Sequence, residues 1–405
     1  MSAAKKRDAR IKHLSSRIKE PQNKKEQDLI GPPDTMMLLI IAALVVFGIM
    51  AIVSAGAPEG AAVYHNPAYF AIKHIVAVII GIIAMVFTSN IDYKKWKNWT
   101  MPFAMIVTGL TAATLIPGIG RADYGSSRWL MGLPIQPSEF AKIASIFLVA
   151  SAVTDSKNLF SRKMVENLII VAVLIIIVLK QPNLSIAVIL TMITLALLMI
   201  GGASFRLIGG FGFSSLAMLM VFGLQNILHG YQMKRITGWL NPWSDPQGIG
   251  YNIIQSLYAI GSGQFIGTGY GNSLQKHFWL PFCYTDFIFA VICEEFGFVG
   301  AVLLIGLFLT FIYRGFLIAN RCTNHFGKLV AFGITFSIAI QAFINMAVAT
   351  GVFPVTGVTL PLISHGGTSI VITLAMLGVL LNISKKRIKK IHPQAKQEEN
   401  HARIR

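Results

Sequence analysis

Apolar residues run through this chain in stretches of about 20, each long enough to cross a bilayer core of roughly 30 Å. Ten such spans are predicted: 35–56, 68–89, 99–118, 138–154, 165–180, 184–201, 207–228, 287–313, 328–351 and 366–383. The least defined junction is in 165–201, where only Lys180-Gln181-Pro182-Asn183 separates two spans. Short charged loops and three longer polar ones, 119–137, 229–285 and 352–365, join the spans. The pattern predicts an all-α polytopic membrane protein with a large outer loop between helices 7 and 8. Its membrane domain, 35–383, lies between a basic tail, 1–34, and a second, 384–405, both expected to be disordered. No repeat of fixed period is evident.

Composition agrees with lipid as the solvent. Only 13% of residues are charged and 54% are hydrophobic, whereas a soluble domain carries roughly 25% charged residues. The net charge of +18 could suggest nucleic acid, but its placement argues for a membrane. Lys and Arg crowd both tails and the loops holding Lys94, Lys95 and Lys97, then Lys157, Arg162 and Lys163, then Arg314, Arg321 and Lys328. With ten spans and both termini cytoplasmic, those loops fall on the cytoplasmic side, as the positive-inside rule requires. The tails then meet anionic lipid head groups, and no nucleic-acid partner is expected. The basic start lacks a small-residue cleavage site and does not read as a removed signal peptide. Cys283, Cys293 and Cys322 have no metal-ligand spacing, and their predicted positions, on the outer side, within a span and on the cytoplasmic side, predict no disulfide.

Polar chemistry concentrates in the outer loops. In 119–137 and its exit, "SSRWLMGLPIQPSEFAKIA" holds Pro137-Ser138-Glu139 as the opening turn of a helix. Glu139 and Lys142, three apart, share a face, either lining a polar cavity or neutralising each other as a structural pair. Lys180 ends a span, where it either faces an outer cavity or snorkels to the interface. In 229–285, Asn241-Pro242 and Asp245-Pro246 are turn signals, and "QGIGYNIIQSLYAIGSG" has apolar residues at helical spacing. Trp239, Trp243, Tyr251, Tyr258 and Tyr270 read either as an interfacial belt or as stacking surfaces for sugar or lipid head groups.

The stretch "LPFCYTDFIFAVICEEFGFVG", 280–300, places three of seventeen carboxylates in apolar surroundings. A carboxylate at bilayer depth costs about 2.5–3.5 kcal/mol, so it faces a cavity or a partner. Asp286 is expected at the outer boundary, near a helix N-terminus, as a base or as a cap. Glu294 and Glu295, deeper by ~1.5 Å per residue, are expected to satisfy packed polar groups, with Asn183 a third structural polar residue. Glu59, Asp123, Glu139, Asp245 and Asp286 are the outer carboxylates available to acid–base chemistry.

In order along the chain, "RWLMGLPIQPSEFAKIA", "LKQPNLS", "ITGWLNPWSDPQGIGYNIIQSLYAIGSGQFIGTGYGNSLQK", "YTDFIFAVICEEFGFVG" and "GVTLPLISHGGTS" resemble the SEDS family (shape, elongation, division and sporulation) of bacterial peptidoglycan glycosyltransferases. "GWLNPWSDP" and "GYGNSLQK" resemble its division branch more than its elongation branch. Three positions depart from the family pattern. Tyr284 stands where a His is usual, His365 where a Tyr is usual, and Asn183 where an Asp is usual.

The resemblance implies polymerisation of lipid II into glycan strands on the outer face of the bacterial cytoplasmic membrane. A hydroxyl of one N-acetylglucosamine attacks the anomeric carbon of the growing chain, and undecaprenyl pyrophosphate leaves with inversion. The family's essential aspartate falls on Asp286, the candidate base. Arg128, Lys142, Lys180, Arg235 and Lys276 are cations able to hold pyrophosphate, Lys142 and Lys180 foremost because they stand at helix ends. Trp129, Glu139, Gln255, Ser256, Ser364, Gly366 and Gly367 complete the implied substrate contacts, the two glycines permitting close backbone approach or a mobile loop. No dedicated cofactor or metal cluster is expected. A divalent cation, Mg or Mn, would be held with the pyrophosphate. Implied partners are lipid II, the growing strand, a class B penicillin-binding transpeptidase, other divisome proteins and membrane lipids. A lipid II flippase, needing no base, and a scaffold recruiting the transpeptidase are the alternatives. An ion-coupled transporter would want midplane acids, which only Glu294 and Glu295 approach.

Overall fold

A computed structural model describes residues 29–123, 126–130, 135–155, 161–181, 183–228 and 237–387. Helices occupy all ten predicted stretches: α1 (Thr35–Tyr64), α2 (Tyr69–Asn90), α3 (Tyr93–Ala113), α4 (Pro137–Asp155), α5 (Arg162–Lys180), α6 (Leu184–Ile200), α7 (Phe205–Leu228), then, after the short α8 (Tyr251–Ser262), α9 (Ile288–Arg321), α10 (His325–Ala349) and α11 (Gly367–Ser384). By length and composition α1, α2, α4, α9, α10 and α11 can each cross a membrane, and α6 is a shorter apolar helix. This is a multi-pass helical membrane protein.

Local chemistry sets the helix starts. Asp34 caps α1 through Met37 N, Asp92 caps α3 through Lys94 N, and Asn324 caps α10 through Gly327 N. The undefined junction in 165–201 resolves as a break after Lys180. There Gln181 turns inward to Thr111 O (2.9 Å) and Thr114 Oγ1 (2.6 Å), and Asn183 caps α6 through Ile186 N. The loop 119–137 contains an element not predicted from the sequence, a hairpin of β1 (Gly120–Asp123) and β2 (Ser126–Leu130), with Trp129 opposite Arg121.

Small residues bring the helices together. A Cβ on Gly378 of α11 would lie 2.0 Å from Thr88 Oγ1 and 2.2 Å from Met85 O of α2, so only glycine admits this contact. The most enclosed span is α4, with 83% of its apolar window buried against 28% for α9. Polar groups placed on α4 are therefore surrounded by protein. Apart from this body, Leu29–Ile30 pair antiparallel with Lys386–Arg387. Most of the predicted tails lies outside the described residues.

Helix α9 is not continuous. Gly297 has φ 64 and ψ −163, and the segment after α8 fills the break with its own backbone. Thr268 N and Gly269 N donate to Glu294 O (2.9 Å) and Glu295 O (3.0 Å), while Phe298 N and Val299 N donate to Gln264 O (2.9 Å) and Phe265 O (3.2 Å). A Cβ on Gly297 would stand 2.4 Å from Gly267 N, and Gly267 itself has φ +93. Two glycines thus let two chains exchange the hydrogen bonds that a broken helix leaves open.

Candidate functional site

Asp286 lies one residue before Phe287, the N-cap of α9, and is half-buried. The residue just upstream of an apolar span is where a carboxylate keeps access to water while its backbone is held. Its carbonyl accepts from Asn345 Nδ2 of α10 at 2.8 Å, and the same nitrogen donates to Val358 O at 2.6 Å. Gly357 faces it, and a Cβ there would sit 3.6 Å from Asp286 Oδ2. Gly357 has φ +69, so this approach is built from a backbone that favours glycine.

The segment 355–366 runs beside Tyr284–Asp286 and is held by groups on α6 and α10 and by the backbone ahead of α9. Ser185 of α6 donates to Thr356 O at 2.6 Å. Gln341 of α10 donates to Thr359 O at 3.0 Å. Ser364 Oγ donates to Thr285 O at 2.5 Å, beside α9, and accepts from Leu360 N at 2.7 Å. Gln136 N, ahead of α4, donates to Thr368 Oγ1 of α11 at 3.1 Å.

Glu139 and Lys142 form a buried ion pair of 2.8 Å on α4, and Lys142 Nζ also donates to Gln341 Oε1 at 2.6 Å. Gln341 and Asn345 stand one turn apart on α10. The pair on α4 is therefore joined through Gln341 to the segment that faces Asp286. Neither Gln341 nor Asn345 was singled out in the sequence. The available signal was two amides four apart inside an apolar span, where polar groups are costly.

The other predicted residues divide. Lys180 is exposed at the end of α5. Trp129 is half-buried on β2. The Arg128 side chain and all of Arg235 lie outside the described residues. Ser256 is buried and donates to Ala349 O at 2.6 Å, tying α8 to α10, with half-buried Gln255 beside it. Lys276 is buried: its ammonium contacts Glu295 Oε1 (2.9 Å), Ser54 Oγ (2.8 Å) and Gly271 O (2.6 Å), and so is fully engaged within the protein. Glu294 accepts from Ser273 Oγ and from the backbone N–H of Leu274 (2.8 Å), and Glu295 also accepts from Ser54. Gly366 caps α11 and Gly367 begins it. A Cβ on Gly367 would meet no atom within 4 Å, so the space beside it is open rather than closely packed.

Two departures from the family pattern touch one another. His365 N donates to Tyr284 O at 2.9 Å, and the two rings stand edge to face with centroids 6.0 Å apart. Tyr284 Oη donates to Glu59 Oε1 at 2.9 Å. Burial, then the bond to Glu59, raises the Tyr284 phenol above its usual range. Burial, with a smaller effect of Lys73, lowers the His365 imidazole to about 4, so it is neutral near pH 7. Burial also pushes the neighbouring Cys283 thiol up to about 12, leaving it an unreactive packing group.

Known proteins place these features in a family. A cell cycle protein model, FtsW/RodA/SpoVE, matches residues 34–389. A probable peptidoglycan glycosyltransferase FtsW of Trichlorobacter lovleyi is 41% identical over 357 residues, covering 87% of this chain and 93% of that protein. Stage V sporulation protein E of Bacillus subtilis is 40% identical over 358 residues, covering 87% and 97%. Among solved structures, a peptidoglycan synthase complex that coordinates polymerization and crosslinking aligns with TM-score 0.71 and 27% identity over 87% of this chain and 98% of its own. RodA of Thermus thermophilus shares the fold, with TM-score 0.64 and 23% identity over 88% and 98%. With its family model spanning nearly the whole membrane body, and two relatives at or above 40% identity, this chain belongs to the FtsW/RodA/SpoVE family of cell cycle proteins.

Proposed function

We propose that the protein polymerises lipid II into glycan strands at the outer face of the bacterial cytoplasmic membrane, in the service of division. The observation that carries this reading is the mounting of Asp286. Its backbone is clamped by Asn345, its carboxylate faces Gly357, and the opposing segment is pinned by groups on α6 and α10.

In this reading Asp286 takes the proton of the acceptor sugar's hydroxyl as that oxygen bonds to the donor's anomeric carbon. The bond from that carbon to the pyrophosphate oxygen breaks, its electron pair leaves with undecaprenyl pyrophosphate, and the anomeric centre inverts. A positioned base of this kind contributes about 10²–10⁴-fold. We assign the pyrophosphate to Lys180, exposed at the end of α5, with Arg128 and Arg235 completing the set. We assign Lys142 to positioning, because its ammonium is shared between Glu139 and Gln341. A divalent cation is assigned to the pyrophosphate itself, since among the described residues no three His, Cys, Asp or Glu side chains converge. The likeness to a synthase complex supports a transpeptidase partner.

The test is synthesis of glycan strands from fluorescent lipid II by the purified protein with its cognate transpeptidase in detergent. Polymer formed there supports a polymerase, since no membrane remains for a flippase to cross. Absence of polymer with the active partner present overturns the reading in favour of transport or scaffolding.

A further inference from the structure

The segment following α8 was expected in an outer loop, yet its contacts reach deep along two spans. The ion pair of Asp34 with Arg314, 2.7 Å, stands at the start of α1, so hydrocarbon begins no earlier than there. A core of roughly 30 Å then takes about 20 residues of α1, from Thr35 to near Ser54, and any other placement along α1 moves the core further towards Tyr64. Tyr270 Oη donates to Met50 O at 2.9 Å, inside that limit. Phe47, deeper still, packs on Phe296 with centroids 5.6 Å apart, which sets the level of the α9 break. At that break Phe265 stacks on Phe298, centroids 5.9 Å apart and planes within 24°.

The surface is suited to hydrocarbon. Phe265 is 65% exposed, Ile266 79% and Phe298 60%, so the segment's apolar face continues the outward face of α9. From Pro246 to Gln275 there is no Asp, Glu, Lys, Arg or His. Irregular backbone at membrane depth is tolerated where protein satisfies its polar groups. Here the exchange with α9 does so, pairing Gln264 O, Phe265 O, Thr268 N and Gly269 N. Gly267 N turns back to Gly263 O at 2.8 Å.

We infer that residues 263–274 form a re-entrant segment whose Phe265–Ile266 face lies against the acyl chains of the bilayer. It descends from α8, whose Ser256 is tied to the end of α10, and docks in the break at Gly297. It then returns through Lys276, locked to Glu295 and Ser54, towards Asp286. The candidate base is thus hung from an element anchored in lipid.

The experiment reads membrane depth without reference to glycan synthesis, so it stands or falls separately from the proposed activity. The three natural cysteines are buried, which leaves an introduced surface cysteine as the site of spin labelling in folded protein. The full chain carrying Ile266→Cys, Phe265→Cys or, as a control, Trp243→Cys is labelled and reconstituted into phosphatidylcholine–phosphatidylglycerol vesicles. Labels at 265 and 266 are expected to collide with oxygen several-fold more than with a water-soluble nickel chelate, and the label at 243 to show the reverse. Nickel access at 265 and 266 equal to that at 243 would place the face in water and overturn the inference. Poor access to both reagents would place it against protein, such as a second copy, and overturn it equally.

Discussion

Asn345 holds Asp286 by its backbone: the side-chain amide donates to the Asp286 carbonyl at 2.8 Å and, from the same nitrogen, to the Val358 carbonyl at 2.6 Å. One NH₂ group thereby fixes the residue before the N-cap of α9 against the segment that precedes α11.

Replacing Asn345 by Leu keeps the volume but leaves the buried Val358 carbonyl and the part-buried Asp286 carbonyl without this donor, at a cost of about 1–3 kcal/mol for the buried one. Strand synthesis from lipid II should fall roughly 10- to 100-fold, in kcat more than in KM. An Asn345→Leu enzyme with wild-type kcat would remove the clamp from the account.

The pair Glu139–Lys142 is buried on α4, so removing one partner strands the other charge. Glu139→Gln or Lys142→Met should each destabilise the protein by about 3–5 kcal/mol, while the double replacement should recover much of that loss. Thermal unfolding of the three variants in detergent reads this directly. Additive losses would mean the two charges do not act as a pair.

Tyr284 and His365 are predicted to function as an exchanged unit. Each single change, Tyr284→His or His365→Tyr, should lower synthesis about 5- to 30-fold, and the double exchange should restore it to within about 3-fold. That pattern corresponds to a coupling of about 1.3–3.4 kcal/mol. A loss in the double variant equal to the product of the two single losses would deny the coupling.

His365 also predicts a pH dependence of stability. Its folded pKa, about 4, lies below its unfolded value near 6.5, so the unfolded chain binds the proton first as pH falls. The stabilising contribution of neutral His365 is complete above pH 6.5 and is lost progressively towards pH 4. Phe70, Tyr284, His74 and Lys73 surround it, and none of the first three offers a counter-charge. Replacing His365 by Phe should flatten the fall in Tm between pH 6.5 and 4.5, and an unchanged slope would assign the acid sensitivity elsewhere.

Much of the bundle was legible because hydrophobicity in lipid is a strong constraint: every predicted stretch is helical, including the pair parted only by Lys180 to Asn183. The break at Gly297 was not legible. "ICEEFGFVG" reads as continuous helix, and what breaks it is backbone pairing with residues some thirty positions earlier in the chain. Lys276 illustrates the same limit at the site. A lysine in an outer loop suits a pyrophosphate, but Glu295 and Ser54 claim its ammonium in three dimensions. Asp286, by contrast, was conspicuous as a carboxylate at the head of an apolar span. Asn345, which holds it, was masked by the greasy residues around it.

Gly297 and Gly267 both adopt positive φ with foreign backbone within 2.6 Å of where a Cβ would be. Alanine at either position should lower stability by about 1–3 kcal/mol from backbone strain alone, with the contact adding to it. Unfolding midpoints equal to wild type would mean that the re-entrant segment need not dock in the break.

The central claim is that Asp286 removes the acceptor's proton. The most direct measurement compares the rate of glycan strand formation by wild type and by Asp286→Asn, each with the same transpeptidase and with folding verified by equal Tm. A loss of at least about 100-fold in kcat is expected, with lipid II binding retained. An asparagine variant that polymerises within a few-fold of wild type would contradict it, and would leave Asp286 only its structural place at the head of α9.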